Sequence, residues 1–238
     1  MENQSHILHA FDRDLESIQA NIMKMGGLVE AAIAQAATAL DTHDGDLAEA
    51  VRAGDKAIDA LQQQVNEQAA RILALRQPTA GDLRTVLTVF RLSGSLERMG
   101  DYAKNIAKRT GVLMGMAPIN GSAKSLRRMA RQVELMLKDA LDAYIQRDVD
   151  LAADVRTRDL EVDQMYTALF REYLTFMMED PRNITACMHL HFIAKNIERM
   201  GDHVTTIAEE VIYLVEGAYP DDSREKGDQT TQGAGNGG

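Results

Sequence analysis

The chain has 238 residues, 45% apolar but only 5% aromatic, with no tryptophan and a net charge of −10. That length allows one or two domains with a sizeable core. The charge argues against nucleic acid and anionic membrane surfaces as partners, since both call for clustered Lys and Arg.

The core must be aliphatic, and four prolines, thirteen methionines and abundant alanine favour helix over sheet. Cys187 is the only cysteine, which excludes an intrachain disulfide and a zinc ribbon. It reads as a small core residue and is consistent with a reduced cytoplasmic setting. The opening MENQSHILHAFDRD has neither a basic start nor an apolar run, so no secretory signal is expected. No stretch approaches the roughly 18 apolar residues that cross a bilayer. Any membrane role would pass through a partner.

The first helix is predicted by a stripe at three-four spacing: Leu8, Phe11, Leu15, Ile18, Ile22, Met25, Val29, Ala32, Ala36 and Leu40. Asp-Gly-Asp at 44–46 breaks it, with Asp46 as the expected N-cap of the next helix. Val51, Ile58, Leu61, Val65, Ile72 and Leu75 carry the second, which Pro78 ends. Thr79 and Asp82 resemble a helix start, and Leu92, Leu96, Met99, Ala103 and Ile106 mark the third. Residues 116–122, MAPINGS, read as a linker. Leu126, Met129, Val133, Met136 and Ala140 then mark a fourth helix, and Val155, Val162, Met165, Leu169 and Phe176 a fifth. Pro181 opens the sixth, with Ile193, Ile197, Met200, Val204, Ile207, Val211 and Leu214 in line. Residues 218–238 have no apolar period and read as a disordered tail.

The chain repeats itself. LERMGDYAKNIA at 96–107 and IERMGDHVTTIA at 197–208 share seven of twelve residues at an offset of 101. LAEAVRAGDKAID at 47–59 aligns with LAADVRTRDLEVD at 151–163 at an offset of 104. An internal duplication accounts for both. The expected fold is all-α: six long helices of roughly 25–33 residues in two tandem three-helix bundles. The first repeat spans 5–115 and the second 122–217.

Each half carries two acidic pairs at i, i+4: Asp55 with Asp59 and Glu97 with Asp101, then Asp159 with Asp163 and Glu198 with Asp202. That spacing puts both carboxylates on one helix face. Against the apolar period the pairs flank the core, so they are expected near the surface. Taken singly, each is an ordinary solvated pair, at a cost of about 0.2–0.5 kcal/mol in repulsion. Four pairs at matching places point instead to carboxylate patches that need a cation. Oxygen-only ligation suits magnesium, calcium, manganese or iron. Gly100 and Gly201 either make room for such a cluster or permit close helix packing; a glycine inside a helix costs about 1 kcal/mol against alanine. Asn105 and His203 are weaker ligand candidates: Asn105, one turn after Asp101, is matched by Thr206 in the second half, and His203 points about 100° away from its neighbour Asp202. His189 and His191 read as structural or surface residues, and His6 and His9 have no converging partners. The duplicated Arg98 and Arg199 read as surface ion pairs.

These motifs resemble the PhoU family of bacterial phosphate-uptake regulators. The resemblance covers about residues 5–216 and rests on QPTAGDLR (77–84), LERMGDYAKNIA (96–107) and EDPRNITACMHLHFIAKNIERMGDHVTTIAEEV (179–211). It implies two three-helix bundles, a homodimer, and surface multinuclear metal clusters on paired acidic motifs. Here those motifs are Asp55, Asp59, Glu97 and Asp101 for one site, and Asp159, Asp163, Glu198 and Asp202 for the other. The implied metal is divalent or multinuclear: iron, magnesium, manganese or zinc. The implied function is negative control of phosphate import and of the phosphate-starvation response, and so indirectly of transcription. The implied partners are the ATPase of the phosphate ABC transporter and a PhoR-type sensor histidine kinase. The protein would be cytoplasmic and reach the inner face of the membrane through those partners.

Three functions follow: a non-enzymatic regulatory adaptor, a carboxylate-bound metalloenzyme, or a helical scaffold without metal. The enzyme reading is weak. No Glu-x-x-His, nucleophile–base arrangement or glycine-rich phosphate loop is present.

Overall fold

The structure is a computed structural model that describes residues 2–76 and 80–221, with side chains from 13 to 75 and from 81 to 221. Pro78, Thr79, the side chains of His6, Leu8, His9 and Phe11, and the tail from 222 onward lie outside the described residues.

Six helices carry the fold: α1 (Glu2–Thr42), α2 (Gly45–Arg76), α3 (Ala80–Leu113), α4 (Ser122–Gln146), α5 (Val149–Glu179) and α6 (Ile184–Glu216). No strand occurs among the described residues. At 41 residues α1 is longer than expected, because no proline or glycine interrupts the chain before Gly26. Pro181 starts a single 3-10 turn, Pro181–Asn183, and α6 begins after it.

The duplication reaches into the caps. His43 and Arg147 both take left-handed backbone, with φ of 55° and 53°. The next residue caps the following helix in each half. Asp44 Oδ1 accepts from the Leu47 N–H at 2.9 Å, and Asp148 Oδ1 from the Leu151 N–H at 3.0 Å. Asp46, the expected cap, lies in the first turn of α2 instead. There its charge still suits the positive end of the helix dipole.

Helices α1, α2 and α3 pack together, as do α4, α5 and α6. The halves meet through α1 against α4 and α3 against α6, so these four helices form the centre and α2 and α5 the flanks. One aliphatic core runs through both halves, including Ile22, Met25, Leu96, Met99, Leu126, Met129, Ile197 and Met200. Each such side chain contributes about 1.5–3 kcal/mol by leaving water. Cys187 is buried within it.

A pseudo-two-fold axis relates the halves. Tyr102 and His203, equivalent in the repeat, face each other with ring centroids 5.8 Å apart. On one side of them Arg91 of α3 pairs with Glu210 of α6 at 2.7 Å. On the other side, at the equivalent positions exchanged, Arg109 of α3 lies 4.4 Å over the ring of Phe192 of α6.

Candidate metal centre

Each acidic pair sits at a seam between a flanking helix and a central one. On the first seam, Asp55 is buried at 4% exposure, Asp59 is exposed, and Glu97 and Asp101 are half-buried. On the second, Asp159, Asp163 and Glu198 are all buried and Asp202 is half-buried. The period along each helix places these groups beside the core and near water. The packing of α2 on α3 and of α5 on α6 covers half of them.

The duplicated glycines let the helices close over the aspartates. A Cβ on Gly100 would lie 2.9 Å from Ile58 Cδ1 and 3.5 Å from Asp55 Oδ1. A Cβ on Gly201 would lie 2.6 Å from Asp159 Oδ1. The close-packing reading of the glycines therefore holds, and the approach of the helices brings the carboxylate in.

The pairs act on one another across the seams. Burial pushes the Glu97 carboxyl above its ordinary range, and Asp101, Asp59 and Asp55 push it further, against Arg98. Asp59 is exposed, but the small part of it that the seam covers raises its carboxyl too, with Asp55 and Asp101 adding to it and Lys104 opposing. Glu198 is raised by burial, with Lys195 opposing and Asp202 and Asp163 adding.

Two lysines that the acidic motifs did not point to enter these clusters. Lys104 Nζ donates to Asp55 Oδ2 and lies 3.4 Å from Asp101 Oδ1, bridging α2 and α3. Lys195 Nζ donates to Glu198 Oε1 at 2.8 Å and stands 4.8 Å over the Tyr166 ring. Their signal in the sequence was a spacing of three from Asp101 and from Glu198, which sets an ion pair on one helix face.

Among the described residues no three acidic, histidine or cysteine side chains are gathered closely enough to hold a metal ion as they stand. The donor set nonetheless fits a hard cation. Asp55 Oδ1 and Glu198 Oε2 are buried and accept no hydrogen bond, and a buried oxygen without a partner calls for one. Of the weaker candidates, Asn105 is exposed, and His203 turns to Tyr102 across the axis. Burial holds the His203 imidazole below its ordinary range. His191 packs among Tyr166, Phe170 and Phe192, and His189 Nδ1 lies 3.3 Å from Arg109 Nη1. Arg98 stands 3.8 Å from both Glu97 and Asp101 and is mostly exposed, as a surface ion pair would be.

The PhoU domain model matches residues 22–110 and 126–211, one match in each half. The chain belongs to the PhoU family. A PhoU homolog of Caulobacter vibrioides, described as a phosphate-specific transport system accessory protein, is 44% identical over 227 residues, covering 95% of this chain and 99% of that one. A Rhizobium meliloti PhoU homolog of the same description is 44% identical over 229 residues, covering 96% and 97%. The crystal structure of PhoU from Pseudomonas aeruginosa superposes with a TM-score of 0.85 at 39% identity, covering 87% of this chain and all of that one. The phosphate transport system regulatory protein PhoU from Streptococcus pneumoniae gives a TM-score of 0.81 at 30% identity, covering 89% and 99%. The PhoU fold thus holds over both repeats, including the two acidic seams.

Proposed function

We propose that this protein is a negative regulator of phosphate uptake and of the phosphate-starvation response, working as a non-catalytic, metal-binding adaptor. Its targets are the ATPase of the phosphate ABC transporter and a PhoR-type sensor histidine kinase. It acts as a cytoplasmic homodimer that reaches the membrane through those partners. The naming of its relatives for a phosphate transport system supports this reading. No helix among the described residues is long and apolar enough to cross a membrane, in keeping with attachment through partners. The two repeats, 5–115 and 122–217, serve as matched lobes.

One observation carries the metal: buried, unpartnered carboxylate oxygens at Asp55 and Glu198, on seams built twice in one chain. Asp55, Asp59, Glu97 and Asp101 would hold one cluster, and Asp159, Asp163, Glu198 and Asp202 the other. Bound metal would supply positive charge that ties the flanking helix to the central one. The carboxylates hold that position from rigid helices, keeping the outer face of each lobe firm for docking.

A second reading, a helical scaffold without metal, draws on Lys104 and Lys195, which already neutralise part of each cluster. Elemental analysis of protein purified without chelator separates the two: iron, manganese, magnesium or zinc at stoichiometric levels supports the adaptor with metal, and none supports the scaffold. Affinity capture from phosphate-replete and phosphate-starved cells tests the partners. Recovery of the transporter ATPase and the kinase is expected, and recovery of neither overturns the regulatory reading.

A further inference from the structure

The two acidic seams are equivalent by duplication, but they are neutralised differently. In the first half an ammonium comes from Lys104, three residues after Asp101, and spans both helices to reach Asp55. The equivalent position in the second half is Thr205, whose hydroxyl donates to the Gly201 carbonyl at 2.8 Å. There the ammonium comes from Lys195, three residues before Glu198. Its equivalent in the first half is Gly94, which has no side chain to offer. The lysine was not carried over from one repeat to the other, yet each cluster holds one. Two independent placements meet the same need, which is to balance carboxylates that burial and mutual repulsion leave uncomfortable.

Both ammonium groups sit on carboxylates that the metal-binding reading assigns as ligands. Both also have somewhere to go. The Lys104 side chain is 42% exposed, so turning its flexible stem returns the charge to water with no backbone change. Lys195 stands over the Tyr166 ring, whose face can keep an ammonium after it releases Glu198. A divalent cation brings twice the charge and binds several oxygens at once, so it wins the exchange above some threshold concentration.

We propose that Lys104 and Lys195 are displaceable counter-cations, one for each metal cluster, and that their displacement sets the metal concentration at which each cluster fills. They hold the seams closed when metal is scarce and make loading a competition. This inference rests on the metal-binding reading and adds to it the residues that tune affinity.

The test is Mn²⁺ binding by equilibrium dialysis, read one site at a time. The first site is read in Glu198→Ala, Asp202→Ala protein, and the second in Glu97→Ala, Asp101→Ala protein. Lys104→Met in the first background and Lys195→Met in the second should each tighten Mn²⁺ binding about 10- to 100-fold, as loss of a charged hydrogen bond that must otherwise be broken. Lys108→Met, an exposed lysine one turn beyond Lys104, should leave it unchanged. Lys104→Gln and Lys195→Gln, which remove the charge but keep a neutral N–H donor, give the same readout should a methionine variant fail to fold. The metal-free variants should also melt lower than their parents and regain the difference on loading, which a merely structural lysine would not produce. Equal affinity in parent and lysine variants overturns the inference and leaves the metal reading standing. Equal tightening by Lys108→Met overturns it as a general charge effect. No Mn²⁺ bound by the parent or any variant overturns both.

Discussion

Gly201 of α6 stands against Asp159 of α5 so closely that a Cβ on the glycine would come within 2.6 Å of the aspartate Oδ1. At the equivalent Gly100 the nearest atom is the Cδ1 methyl of Ile58, at 2.9 Å. The end of an isoleucine can rotate aside, whereas the carboxylate of Asp159, 1% exposed, has little room to retreat. Alanine at either site gains about 1 kcal/mol in helix propensity, and overpacking costs about 1–3 kcal/mol. The two effects should nearly cancel in Gly100→Ala and leave Gly201→Ala destabilised. At about 2–4 °C per kcal/mol for a chain of this size, calorimetry should find Gly201→Ala melting a few degrees lower and Gly100→Ala close to the parent.

The double change Glu198→Ala, Asp202→Ala should empty the second cluster while the one built on Asp55, Asp59, Glu97 and Asp101 keeps its metal. A ligand at about 100 times its Kd stabilises by about 2.7 kcal/mol. The variant purified without chelator should therefore melt about 5–10 °C below wild type, and exhaustive chelation should narrow the gap. Elemental analysis and calorimetry on the same samples check both statements; unchanged metal and unchanged Tm would contradict the fastening role.

Glu30 of α1 lies outside the acidic seams. Burial raises its carboxyl above the ordinary value of 4.5, and Glu134 and Asp142 of α4 raise it further, with Lys138 opposing. A raised carboxylate costs stability when ionised. Its contribution is fully favourable below the unfolded value and is lost as pH rises through the folded one. Glu30→Gln should therefore be more stable than wild type at pH 7. The advantage should shrink on acidification and vanish near pH 4. Urea unfolding of both proteins in chelator across that range is the measurement.

The contacts around the pseudo-two-fold axis should not be equal in strength. Glu210 is 3% exposed in its side chain and depends on Arg91 Nη1 and on the Tyr219 hydroxyl at 3.0 Å. Removing the arginine strands a buried charge, so Arg91→Met should cost about 1–3 kcal/mol. Arg109 at the exchanged position lies over the Phe192 ring, a contact worth about 0.5–1 kcal/mol. Denaturant titrations should rank Arg91→Met well below Arg109→Met, and equal losses would show that the axis is balanced.

Much of this molecule was legible in one dimension. The three-four spacing of apolar residues located every helix, because helical period is a local property of the chain. The offsets of 101 and 104 exposed the duplication and paired Asp55 with Asp159 and Glu198 with Glu97. The aspartate cap was placed two residues late, at Asp46 instead of Asp44, since both fit a helix start and only the left-handed turn at His43 selects between them.

What a helix faces is a long-range matter, and there the tertiary structure decided. The apolar stripe set Glu198 and Asp55 at the margin of the core, but only the approach of α5 to α6 and of α2 to α3 buried them. Lys104 and Asp55 are 49 residues apart, and no local pattern brings them together. His203 is one residue from Asp202 yet looks across the axis to Tyr102, because successive side chains on a helix diverge by about 100°. Spacing determines which side chains share a face; packing determines what that face meets, and so whether a carboxylate is hydrated, paired with an ammonium or left to seek a cation.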